Sequence, residues 1–152
     1  MSKSTELYEL DFHAWTQETA DQIRVGRFED IDLEMLAEEI ESLGRSDRNE
    51  LHTRLSLIAA HMLKWEFQPE KRELHGRGWA LTVKEQRRRV ERLIKKNPSL
   101  QPVLADMELI QDAYESGVIQ AALESGIVEQ DFPRQCPYTA TEMLTYEFWS
   151  DR

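Results

Sequence analysis

Apolar residues recur at three- and four-residue steps along most of the chain, and no stretch alternates apolar and polar positions between turn signals. That period belongs to helices rather than strands. The first predicted helix runs from about Phe12 to Val25, with Asp11 as N-cap and Gly26 as stop. A second starts near Asp32, with Leu33, Leu36, Ala37, Ile40 and Leu43 as one inward stripe. Gly44 either ends this helix or weakens a longer one. Asp47 followed by Glu50 reads as a capping-box variant opening a third helix. Its seam is Leu51, Leu55, Ile58, Met62 and Trp65, and Pro69 ends it.

A polar connection is expected from Glu70 to Arg77. The fourth helix opens near Gly78–Trp79, carries Trp79, Val83, Gln86, Val90, Leu93 and Ile94 inward, and closes at Asn97–Pro98. Ser99 is the expected cap of a fifth helix, whose inward positions run from Leu100 through Met107, Ile110 and Tyr114 to Ala121, and Gly126 ends it. Thr139 with Glu142 forms a capping box for a short last helix over Met143 to Trp149, after a loop with Pro133 and Pro137. The expected fold is all-α: a compact antiparallel bundle of about five main helices plus a short C-terminal one. The 152 residues suit one domain, with a core over roughly residues 7–149.

Charge changes this picture. The net charge is −10, yet Glu70 to Asn97 holds ten Lys or Arg against four Asp or Glu, while the rest holds nine against twenty-five. One basic segment sits in an acidic protein. Its cations are expected to face the carboxylates of the second and third helices, or an acidic partner. Nucleic-acid binding by the basic helix 79–96 is the weaker reading, because the chain as a whole repels phosphate and no helix-turn-helix pattern is evident.

The single cysteine, Cys136, cannot close a disulfide within the chain, the polar Met1 to Leu10 stretch lacks the apolar core of a signal peptide, and no apolar run spans a membrane. The expected location is the cytoplasm, without membrane attachment.

Candidate chemistry is sparse. Glu34, Glu38 and Glu41 share one third of the second helix's circumference, but no Glu-x-x-His or His-Glu-x-x-His accompanies them, so they read as a solvated face and no metal is expected. Glu39 borders the apolar side and is expected to be half-buried against an Arg of the fourth helix. His61 and Trp65 share a face of the third helix. Gln86 interrupts an apolar stripe, so its amide needs a partner such as His61 or Glu39. With Arg89, these residues (Glu39, His61, Trp65, Gln86 and Arg89) form the candidate ligand-binding set. No Gly-x-Ser-x-Gly elbow, phosphate loop or catalytic histidine near Cys136 exists, so no catalytic residue and no cofactor is assigned, and an enzyme is the less favoured class.

Five separated motifs resemble one family. They are Asp11-Phe12-x-Ala14-Trp15, the run from Asp32 to Ser46, His61-x-Leu63-Lys64-Trp65-x-x-Gln68-Pro69, Glu85-Gln86-Arg87-Arg88-Arg89, and Cys136-Pro137-Tyr138 with Phe148-Trp149. From Leu7 to Trp149 the chain resembles the bacterial domain-of-unknown-function family twenty-nine, of cyanobacteria and proteobacteria. The resemblance implies an α-helical bundle and carries no activity or site residue with it. The favoured reading is a helical interaction module that binds a protein partner, or a second copy, through charged helix faces. A ligand pocket around Glu39, His61 and Gln86 is the alternative.

Overall fold

The computed structural model describes residues 3–150. These residues form six α-helices joined by short 3-10 turns, and no strand occurs among them. The helices are α1 (Lys3–Leu10), α2 (Phe12–Val25), α3 (Leu33–Phe67), α4 (Arg72–Lys96), α5 (Met107–Ser125) and α6 (Ala140–Thr145). The all-α expectation holds. The chain divides into two compact units, one up to Ser46 and one from Asp47 onward.

The first unit is organised by aromatic residues and caps. Asp11 accepts from the Ala14 N–H at 3.0 Å and starts α2. Gly26 ends it in the left-handed conformation at φ 78, as the sequence requires. Trp15 is buried, donates from Nε1 to Ser4 Oγ at 3.1 Å, and takes the edge of Tyr8 at 5.0 Å. Asp32 accepts from the Met35 N–H at 3.1 Å and so caps α3. The α1 segment, read from sequence only as a polar N-terminus, is a helix.

Four expectations are corrected. First, α3 runs through Gly44 without a break, so the predicted second and third helices are one, and Asp47 lies mid-helix rather than at a cap. One glycine costs a helix only about 1 kcal/mol, which packing along the rest of α3 overrides. Second, the stripe expected to point inward does not: Leu33, Ile40 and Leu43 are 62%, 60% and 70% exposed. Third, α4 starts at Arg72, so most of the predicted connection is helical. Fourth, Ser99 does not cap α5. Residues Pro98–Ala105 form a 3-10 segment containing Pro102, which cannot donate to an α-helical ladder. Asp106 caps α5 instead, accepting from Glu108 and Leu109 N–H groups at 3.0 and 3.3 Å, and Met107 is exposed.

The core of the second unit follows the predicted seam. Leu51, Leu55 and Ile58 are fully buried, and Met62 and Trp65 nearly so. Val83, Val90 and Leu93 of α4 join them, as do Ile110, Tyr114 and Val118 of α5. A Cβ on Gly117 would stand 2.8 Å from the Ser56 carbonyl oxygen and 3.0 Å from Ala59 Cβ. Only glycine therefore lets α5 approach the α3 backbone this closely. The loop after α5 is tied down by Gln111, which donates to Arg134 O and accepts from Cys136 N, and by Tyr114, which donates to Pro133 O at 2.6 Å. Burial pushes the Tyr114 hydroxyl up to about 12. The Thr139–Glu142 capping box starts α6 as predicted, but the helix stops at Thr145, and Phe148 and Trp149 lie in a separate 3-10 turn.

Candidate functional site

The five residues singled out from sequence fall into separate clusters. Glu39 belongs to the first unit, where it is half-buried and accepts from the Tyr8 hydroxyl. That hydrogen bond raises the Tyr8 pKa. Gln86 accepts from Arg54 Nη1 at 3.3 Å, and no bond to His61 occurs among the described residues. Arg89 is exposed and donates from Nε to Glu85 at 3.1 Å. His61 is buried and donates from Nδ1 to the Leu57 carbonyl at 2.8 Å. Burial lowers its pKa, the Leu57 bond offsets part of that shift, and nearby Lys64 lowers it further. Trp65 lines a cavity.

Next to His61 lies a polar pair that sequence reasoning missed. Lys64 is 7% exposed and donates to Glu124 of α5. Gln120 donates to the other Glu124 oxygen at 3.1 Å. Burial pushes the Glu124 carboxyl up, but hydrogen bonds from Lys64 and Gln120 outweigh it and hold the group below the usual range. The Lys64 ammonium also lies 5.8 Å from the Trp79 ring centre, and His75 stacks on that ring. A lysine buried this way orients α3 against α5 at an energetic cost that its pairing offsets. Lys64 was legible as a charge inside the apolar run that ends at Phe67. Its partner, sixty residues away, was not.

The outer face of α4 holds two adjoining cavities, of about 970 and 540 Å³, which share Lys84 and Trp149. The larger has Trp65 and Trp149 in its wall and Arg72, Arg77 and Lys84 around it. Arg72 donates from Nε to the Trp65 carbonyl at 2.8 Å and lies 5.0 Å from the ring centre. Gly76 makes room for the indole, because a Cβ there would stand 2.6 Å from Trp65 Cζ3. Lys84 and Arg87 both lie over the Trp149 ring, at 4.9 and 5.4 Å from its centre. Arg87 also donates to the carbonyls of Glu142, Met143 and Tyr146, so it closes the end of α6 and fixes the turn that carries Trp149. Burial lowers the Arg87 pKa, with Glu147 opposing.

Within the second unit, the expected pairing of α4 cations with carboxylates of the third predicted helix does not occur among the described residues. Arg88 and Arg89 pair with Glu85 of their own helix, and Arg72, Arg77 and Lys84 have no carboxylate partner among the described residues. Glu73 lies in the same wall without pairing with these cations among the described residues, so cations beside a tryptophan wall can take an anionic group attached to an apolar one. Burial holds the Cys136 thiol above its ordinary pKa, the reverse of what a reactive thiolate needs. Among the described residues no group of three or more His, Cys, Asp or Glu could hold a metal ion.

No curated protein and no solved structure matches the chain. A family model does match, over residues 7–149, and it covers all the elements of the groove. The chain therefore belongs to the family described as domain of unknown function DUF29.

Proposed function

We propose that this protein is an interaction module that binds an acidic segment of a protein partner in the α4 groove. The observation that carries the reading is the set of Arg72, Arg77 and Lys84, without carboxylate partners among the described residues, around Trp65 and Trp149. Arginine and tryptophan supply most of the energy in many protein interfaces. Carboxylates on the partner would be steered to this face and away from the acidic remainder of the chain. An apolar partner residue would fill the cavity between the indoles. We place the module in the cytoplasm: Cys136 is free, and no helix among the described residues is long and apolar enough to cross a membrane.

The test is calorimetric titration with a peptide of Asp and Glu residues around one Leu-Phe pair, beside an oligothymidylate of equal charge. The reading expects the peptide to bind, and Arg77→Glu with Lys84→Glu to weaken it by about tenfold or more, equivalent to about 1.4 kcal/mol. Failure of the peptide to bind, or tighter binding of the oligonucleotide, overturns it.

A further inference from the structure

The spacing that builds the core of the second unit is already present in the first. Leu33, Ala37, Ile40 and Gly44 lie eighteen residues before Leu51, Leu55, Ile58 and Met62 respectively. Eighteen residues are five full turns, so both sets occupy the same face of α3. One set is buried, whereas Leu33 and Ile40 are about three-fifths exposed and Ala37 is exposed. A Cβ on Gly44 would meet nothing within 4 Å. α1 does not cover this face. Its bonds reach Asp32 and Glu39, which share a neighbouring face with half-buried Met35 and Leu36. The opposite flank of the stripe carries Glu34, Glu38 and Glu41, of which, among the described residues, only Glu41 pairs with a basic side chain, Arg45 at 3.8 Å. Up to Ser46 the chain holds twelve acidic residues and four basic ones.

We propose that the Leu33–Gly44 stripe of α3 is the docking site of an amphipathic, basic helix from a protein partner, packed along α3 as in a coiled coil. The period selects a helix, because an occupant must meet apolar positions at alternating four- and three-residue steps. Gly44 leaves room for close approach of its backbone. The flank selects its charge, since residues beside a coiled-coil seam choose partners by complementary sign. A second copy fits less well. Antiparallel pairing would set the Glu34, Glu38 and Glu41 flank against itself, and parallel pairing would set it against the side that α1 occupies. This surface is separate from the α4 groove and does not depend on it.

The experiment titrates the full chain with three synthetic helical peptides. One has Leu at the seam and Lys on both flanks, one has Glu on the flanks, and one keeps the Lys peptide's composition with the Leu period broken. The Lys peptide is expected to bind one to one and the other two not to bind. Ile40→Asp is expected to weaken binding by about tenfold or more, with an unchanged melting temperature because Ile40 is exposed. Lys84→Glu is expected to leave binding unchanged, which separates this site from the groove. Equal binding of the broken-period peptide, insensitivity to Ile40→Asp, or a concentration-dependent dimer abolished by Ile40→Asp overturns the proposal.

Discussion

Between Leu51 and Met62, α3 is closed in by α4 and α5, and its apolar face is fully or almost fully buried. Between Leu33 and Gly44 the same face of the same helix is largely open. The pattern of apolar residues does not distinguish these halves. Their neighbours do. In the second half, Ser56, Ala59 and Ala60 are small enough for α5 to settle on α3 at Gly117, and the buried Lys64, paired with the exposed Glu124 of α5, ties the two helices together. In the first half, the short α1 packs on an adjacent face through Tyr8 and Glu39 and leaves the stripe alone. Periodicity thus marks a face able to be buried. Whether it is buried depends on what else the chain brings to it.

Matched substitutions sharpen that contrast. The largest effect is expected from truncating equivalent positions, Ile58→Ala and Ile40→Ala. The first should cost about 2–5 kcal/mol, and the second should stay within about 0.5 kcal/mol, as read by urea denaturation. Equal costs would break the comparison. Glycine-to-alanine changes come next. Gly117→Ala pushes a methyl into the Ser56 carbonyl and should cost about 1–3 kcal/mol. Gly44→Ala meets open space in a helix interior and should gain about 0.5–1 kcal/mol. A loss at Gly44 would show that something packs there.

The smallest effect follows pH. The folded-state pKa of His61 lies below its ordinary 6.5, with Lys64 and Glu124 facing it. The unfolded chain therefore takes up the proton first as pH falls, and the stability held by neutral His61 is lost from about pH 6.5 downward. The lowered Glu124 carboxyl acts in the same direction only at lower pH, as it is protonated. Denaturation midpoints from about pH 8 to 5 should fall more steeply for the natural chain than for His61→Gln. Parallel curves would remove His61 from the account.

Much of the fold is legible in the sequence because caps are local. Asp11, Gly26 and the Thr139–Glu142 box each act within a few residues, and each ends or starts a helix where expected. The Leu51-to-Trp65 seam is legible because every position in it is apolar. The false start at Asp47 and the passage of α3 through Gly44, the second of the two readings left open for that glycine, share one cause: a weak local preference yields to a helix packed along its length. Gly76, read as part of a loop, is a helix residue that makes room for Trp65. The candidate site was readable only in fragments. The excess of cations in α4 is plain, but Trp149 reaches Lys84 from sixty-five residues away through bonds that Arg87 makes to carbonyls, and backbone oxygens leave no mark in a sequence.

The most direct measurement is amide hydrogen exchange along α3, in the isolated chain at a dilution where sedimentation shows a monomer. Amides of residues 51–65 should exchange only through global opening, while those of residues 33–44 should exchange faster by orders of magnitude, through local opening of a helix closed on one side only. Uniform protection along α3 would mean that the first half is already covered, and would contradict both the comparison and the docking site built on it.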